Sequence, residues 1–211
     1  MNLEELKQAV VAGDIDAADE LTRKAIENNM PVADVLNTGL VPGLRQVGEL
    51  FERGDYYLPE LIVSGDAVAK ALEHLEPLMR KEGASYMGKY LIGTVQGDVH
   101  DLGKNIVIMM LRGNGWEVTD LGVDVSPEEF CSAISDGEYQ IVGMSSLLTM
   151  TMPNAARTID ALKVAGLRDR VKIMVGGAPT TVEWAAKIGA DAHAKDGPMA
   201  AIVAANLVGK S

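Results

Sequence analysis

The chain has one cysteine, Cys131, in 211 residues, which excludes an internal disulfide and any metal site built from several cysteines. It falls in a predicted helix, residues 126–135 (SPEEFCSAIS), where it reads as a small buried residue. Aromatic residues are only 4%, too few for a base-stacking platform. Positive charge is also scarce: 19 Lys and Arg against 30 Asp and Glu leave a net charge of -11. Nucleic acid and anionic membrane surfaces are therefore excluded as partners. No run approaches the eighteen or so apolar residues of a membrane helix. The N-terminus, MNLEELKQAV, lacks the basic and apolar regions of a signal peptide, so a cytoplasmic location is expected. Neither a Gly-x-Gly-x-x-Gly turn nor a phosphate loop is present, which weakens a simple nucleotide-binding reading.

What remains is a composition of 47% hydrophobic and 23% charged residues, the profile of a folded globular chain. Its periodicity changes near residue 82. Before that point apolar residues recur at three- and four-residue spacing. Asp14 is placed to cap a helix running to about Asn29. A second helix is predicted from about Pro31 to Phe51 and is broken by Gly54 and Asp55. A third is predicted from Pro59 to about Lys81. With a short helix over Leu3–Val11 these make a four-helix bundle, residues 1–82. His74 reads as a solvated helix residue. Residues 83–89 read as a linker.

Residues 90–211 alternate short β-rich runs with helical ones. Strands are predicted at 90–95, 116–122, 140–146, 171–177 and 191–194, and helices at roughly 102–114, 127–136, 153–166, 181–189 and 197–208. Ser126–Glu129 and Thr180–Glu183 have the spacing of capping boxes. Five βα repeats with near-continuous apolar strands imply a doubly wound parallel five-stranded sheet, covered on both faces. Ligands in such sheets bind at the carboxyl ends of the strands.

Three stretches follow predicted strands. The first is Gly97-Asp98-Val99-His100-Asp101-Leu102-Gly103. In an extended segment Asp98 and His100 face the same way. A carboxylate can then hold one ring nitrogen and leave the other free for a metal; Asp98 could simply cap the next helix, or do both. The second stretch, Ser145-Ser146-Leu147-Leu148-Thr149-Met150-Thr151, supplies hydroxyls. The third, Gly176-Gly177-Ala178-Pro179-Thr180, is expected to clear space that side chains would fill. His193, on the last predicted strand, reads as structural. The methionines read as core filler, with Met150 and Met152 close enough to touch a ligand.

These pieces resemble the B12-binding modules of cobalamin-dependent methyltransferases. Asp98-Val99-His100-Asp101-Leu102-Gly103 is followed by a gap of 41 residues (104–144), Ser145-Ser146-Leu147, a gap of 28 (148–175), and Gly176-Gly177. The stretch Val47–Leu61 is similar to the signature of the helical cap that precedes the module in methionine synthase and in stand-alone corrinoid proteins of methylamine, methanol or betaine systems.

The resemblance implies a Rossmann-like (flavodoxin-like) module carrying cobalamin or a related corrinoid, as methylcobalamin or cob(I)alamin. The cofactor's own base would leave the cobalt, and His100 would become the lower axial ligand. Asp98 and Thr151 would form a proton relay behind it, with Thr151 where methionine synthase has serine. Gly103, Gly176 and Gly177 would open a channel for the displaced nucleotide tail. Ser145 and Thr149 would bond to the tail or the corrin edge, with Asp101 and Leu147 also at the cofactor. Phe51 and Leu58 would shield the methyl group.

The implied role is a non-catalytic methyl carrier. Its partners would be a substrate-specific methyltransferase, a corrinoid:tetrahydrofolate or corrinoid:thiol methyltransferase, and a reductive activator. Two alternatives share the signature. One is the small subunit of an adenosylcobalamin mutase, which generally lacks the cap. The other is a B12-dependent sensor or regulator, which would need a DNA-binding domain that is not expected with nothing ahead of Met1.

Overall fold

The computed structural model describes residues 2–82 and 86–209. It divides into two compact units, Met1–Tyr86 with Met109–Gly115, and Met87–Ile108 with Trp116–Ser211. The expected linker lies partly outside the described residues, at 83–85, and Lys89 already belongs to the first strand.

The first unit is helical. α1 (Leu3–Ala12) starts at Asn2, whose side chain accepts the Glu4 N–H, and stops at Gly13 in a left-handed conformation. α2 (Ile15–Glu27) is capped by Asp14, as expected. The predicted second helix is three segments in one rod: α3 (Val32–Asp34), a π-helical turn over Val35–Leu40, and α4 (Val41–Glu52). The cause is Pro42. It has no N–H to return to the carbonyl four residues earlier, so the preceding turn widens and Val41 N–H reaches Leu36 instead. α5 spans Leu58–Glu82.

Leu6, Val10, Ala18, Ala25, Leu44, Val47, Leu61, Val68 and Leu75 form the unit's core. Gly39 and Gly43 lie one turn apart on the rod. A Cβ on either would meet Leu6 or Val10 of α1 at 2.8 Å, so both glycines let the two helices approach closely. His74 is not merely solvated, because its Nε2 lies 2.7 Å from Asp19 Oδ1.

The second unit is a five-stranded parallel sheet in the order β2-β1-β3-β4-β5. The strands are β1 (Lys89–Thr94), β2 (Glu117–Asp120), β3 (Ile141–Ser145), β4 (Lys172–Gly176) and β5 (Ala192–Ala194). They alternate with α6 (Leu102–Gly113), α7 (Pro127–Asp136), α8 (Met152–Val164), α9 (Val182–Ile188) and α10 (Gly197–Leu207). The strand order reverses between β1 and β3. Right-handed crossovers then put α7, α8 and α9 on one face and α6 and α10 on the other. The first face is packed by Leu91, Val142 and Val175 against Phe130, Ile134, Ile159, Leu162 and Ala185. The switch point opens at the carboxyl ends of β1 and β3.

Two local expectations change. Ser126 and Glu129 do form a capping box. At α9 the cap is a single one and lies one residue later. Thr181, not Thr180, caps α9 by accepting the Trp184 N–H, because Thr180 is held in the preceding turn by Gly177 O at 2.6 Å. Cys131 is half-buried rather than buried.

Candidate functional site

The loop between β1 and α6 is pinned from several sides. Gly97 N–H donates to Asp124 Oδ1 at 2.6 Å, and Asp124 N–H donates to Asp98 O at 2.9 Å. Asn154 of α8 donates to Gln96 O at 2.6 Å. Thr94 Oγ1 donates to His100 O at 3.0 Å. Bonds from β1, from the segment after β2 and from α8 thus fix the backbone that carries Asp98 and His100.

Asp98 is fully buried and lies at the centre of a bonded cluster. Its Oδ1 accepts His100 N at 3.1 Å and His100 Nδ1 at 2.7 Å. Its Oδ2 accepts Leu147 N at 2.7 Å, Leu148 N at 3.3 Å and Thr151 Oγ1 at 2.8 Å. Burial alone would raise this carboxyl's pKa. Hydrogen bonds from His100, Thr151 and the Leu147 backbone outweigh it and hold the group at about 2. Asp98 is therefore an anion at neutral pH. An anionic acceptor requires a proton on His100 Nδ1, which leaves the lone pair on Nε2. The His100 side chain is 47% exposed, and Nε2 has no partner among the described residues. Asp98 does not cap α6; the bonds of its carboxylate go to His100 and to the segment after β3.

Sequence reasoning missed Ser146. It is 1% exposed, and its Oγ lies 2.8 Å from Thr151 Oγ1 and 3.3 Å from Leu148 O. A continuous chain results: Ser146, Thr151, Asp98, His100. Thr151 hydroxyl also lies 2.9 Å from Leu148 O, so it has a second acceptor to turn to. The adjacent serines gave a signal only in retrospect. Residues 145 and 146 point to opposite faces, and pattern alone does not say which one faces inward.

The other expected residues are less closely joined. Ser145 is half-buried at the end of β3, and its carbonyl accepts Val95 N–H. Thr149 is exposed and is bonded to neither Asp98 nor His100. Asp101 is exposed, and its carbonyl accepts Asn105 N–H at the start of α6. A Cβ on Gly103 would meet nothing within 4 Å, so this position opens outward.

Gly176 and Gly177 correct the expectation that they clear open space. A Cβ on Gly176 would lie 2.8 Å from Ala194 O, and one on Gly177 would collide with Ser146 O. Gly177 also has φ +126, a region side chains avoid. These glycines let neighbouring backbone approach closely. Gly177 thereby brings the turn after β4 against Ser146, itself part of the bonded chain. His193 is tied to the same turn, with Nε2 2.9 Å from Thr180 Oγ1. In the helical unit, Phe51 is half-buried near the end of α4, and Leu58 is 38% exposed at the start of α5.

What could bind here is constrained by donors and surface. Among the described residues no group of three or more His, Cys, Asp and Glu side chains could hold a metal. A metal on His100 would therefore need its other positions filled by a non-protein ligand. The rim around His100 suits a broad apolar one. Val99 is 70% exposed, Leu102 55% and Met150 87%, and Val123, Leu147 and Leu148 are also exposed. All lie on segments following β1, β2 or β3. Apolar side chains gathered in this way mark a binding surface. Met150 is thus surface, not core filler. The donor set, one bare imidazole nitrogen amid exposed apolar residues, fits a planar metal macrocycle with a single axial protein ligand.

Comparisons with known proteins identify the family. Two models of a B12 binding domain match the chain, one over residues 88–203 and the other over residues 2–76. A dimethylamine corrinoid protein of Methanosarcina acetivorans is 41% identical over 207 residues, covering 98% of this chain and 97% of that protein. The crystal structure of a cobalamin-binding protein from Desulfitobacterium hafniense superposes with a TM-score of 0.83 at 29% identity, covering 98% of both chains. A methanol:cobalamin methyltransferase complex from Methanosarcina barkeri matches with a TM-score of 0.83 at 26% identity, over 99% of this chain and 80% of that one. No helix among the described residues is long and apolar enough to cross a membrane. This protein therefore belongs to the B12-binding corrinoid proteins of methyltransferase systems, and its cofactor is cobalamin or a related corrinoid.

Proposed function

We propose that the chain carries a methyl group on corrinoid cobalt between a substrate-specific methyltransferase and a corrinoid:tetrahydrofolate or corrinoid:thiol methyltransferase, with cobalamin bound base-off and His100 as the lower axial ligand. The observation that carries this reading is the Asp98–His100 pair: a 2.7 Å bond to Nδ1 and an exposed, unpartnered Nε2. The dimethylamine corrinoid protein and the methanol methyltransferase complex support the carrier role by likeness.

When bound, the corrinoid supplies a cobalt centre able to accept and give up a methyl group. The protein's part follows from its own atoms. His100 offers the Nε2 lone pair, and Asp98 keeps it there by holding the proton on Nδ1. Were Nε2 to take up a proton, the Asp98 carboxylate 2.7 Å from Nδ1 would stabilise the imidazolium. When the Nδ1 proton shifts to Asp98, Thr151 can turn its hydroxyl to Leu148 O at 2.9 Å. Thr151 and Ser146 thereby adapt to either charge state without leaving a buried polar atom bare. The exposed Val99, Leu102, Leu147 and Leu148 would offer an apolar surface to the macrocycle. A reductive activator and a cytoplasmic setting complete the proposal.

Electron paramagnetic resonance of the cobalt(II) protein tests the ligand assignment. The wild type should show coupling to one protein nitrogen, and His100→Ala should lose it. Coupling that survives the substitution, or that comes from the cofactor's own base, overturns the assignment.

A further inference from the structure

The buried Ser146 hydroxyl meets two oxygens, Thr151 Oγ1 at 2.8 Å and Leu148 O at 3.3 Å. Counting protons settles which hydroxyl donates in the first contact. A hydroxyl has one proton to give and two lone pairs with which to accept. Thr151 Oγ1 has two other acceptors in reach, Asp98 Oδ2 at 2.8 Å and Leu148 O at 2.9 Å. The distances are nearly equal, but Asp98 is an anion. A bond to a charged acceptor is roughly twice as strong as one to a neutral carbonyl. The Thr151 proton therefore faces Asp98, and the Thr151 oxygen is left to accept from Ser146. The chain from Ser146 through Thr151 runs in one direction. It ends on the carboxylate that also holds His100 Nδ1 at 2.7 Å.

Backbone contacts hold Ser146 in place. Its N–H donates to Gly176 O at 3.0 Å, and its carbonyl occupies the space where Gly177 would carry a Cβ. Both anchors lie at the end of β4. The Thr151 N–H is tied to Leu148 O at 3.0 Å. Alanine at position 146 would keep these backbone contacts and remove one hydroxyl.

We propose that Ser146 is a positioning residue for the lower ligand: by donating to Thr151 it strengthens the Thr151 bond to Asp98 and so tempers the donor strength of His100 Nε2. This rests on the reading of His100 as the axial ligand. A hydroxyl that accepts a hydrogen bond becomes a better donor, by about 10–30% per bond. The more tightly Thr151 binds Asp98, the less negative charge the carboxylate has left to pull on the Nδ1 proton. An imidazole whose Nδ1 proton is pulled less puts less electron density on Nε2. Ser146 therefore makes His100 a weaker ligand than Asp98 and Thr151 alone would. A carrier whose cobalt passes between states with and without an axial nitrogen gains from this, because the ligand is released more easily.

Spectroelectrochemistry of the cobalamin-loaded protein tests the role of Ser146. Cobalt(II) keeps an axial nitrogen and cobalt(I) does not, so a stronger His100 lowers the cobalt(II)/cobalt(I) potential. Losing the added share of a charge-assisted bond changes the ligation equilibrium by about threefold. Ser146→Ala should therefore lower the potential by about 28 mV, at about 59 mV per tenfold for one electron. Thr151→Ala removes the link between Ser146 and Asp98. In that background Ser146→Ala should leave the potential unchanged, whereas a merely structural loss would act in both backgrounds. An unshifted or raised potential in Ser146→Ala, or the same shift with and without Thr151, overturns the role of Ser146. Coupling to a protein nitrogen in wild-type cobalt(II) leaves the ligand reading standing in that case, and its absence overturns both.

Discussion

Asp98→Asn is a substitution of nearly equal volume whose cost can be worked out from the structure. The native carboxyl is held at about 2 against an ordinary 3.8. That difference corresponds to about 2 kcal/mol of folding stability at neutral pH. The sign follows from the depressed pKa. The contribution is complete above the ordinary carboxyl value and fades as pH falls from about 4 to about 2. Asparagine cannot replace it. Its oxygen can serve either the Leu147, Leu148 and Thr151 side or the His100 side, and its amide then faces donors on the other. If the amide faces Nδ1, the imidazole proton is driven to Nε2 and the metal-binding lone pair is lost.

Urea unfolding followed by tryptophan fluorescence is a suitable assay. The chain has two tryptophans, Trp116 and Trp184, and both belong to the α/β unit that contains Asp98. The apo variant should lose about 2 kcal/mol at pH 7 and show a flatter acid dependence than wild type between about pH 4 and pH 2. Its cobalamin affinity should drop roughly 10- to 100-fold. A variant as stable as wild type at pH 7, with the same acid profile, would refute the claim that Asp98 is a buried, over-bonded anion.

Two further substitutions probe the framework. Gly177→Ala should cost at least about 2 kcal/mol by urea unfolding, because φ +126 and the collision with Ser146 O leave no room for a methyl group. Full stability of that variant would show that the turn after β4 relaxes. Asp120→Asn should cost about 3 kcal/mol in the same assay, since it strips the countercharge 2.6 Å from the Lys104 ammonium, whose side chain is only 2% exposed. A neutral outcome would mean that Asn105, 3.1 Å away, suffices as a partner.

The secondary structure was legible because its signals are local. Asp14 capping α2, the Ser126–Glu129 box and the apolar strands each depend on a few adjacent residues. The exceptions have physical causes within reach of the same reasoning. Pro42 widens the turn before it, and Thr180 is drawn into the Gly177 turn and leaves capping to Thr181. His100 and Asp98 could be paired from the sequence because two residues of extended chain bring them to one side. Thr151 could be joined to them only through resemblance.

Order along the chain therefore determined the elements, the alternation of strand and helix, the excess of negative charge and the imidazole–carboxylate pair. Tertiary structure alone decided what surrounds that pair. Bonds from Leu147, Leu148 and Thr151 reach Asp98 across 49, 50 and 53 residues, and no local rule foretells such closures. It likewise decided that Ser146 rather than Ser145 joins the buried chain, that Gly177 yields to backbone rather than to open space, and that the Tyr90 hydroxyl ends without a partner. Hydrogen bonding and close packing act between groups brought together by the whole fold, and their partners are settled only when the strands are in register.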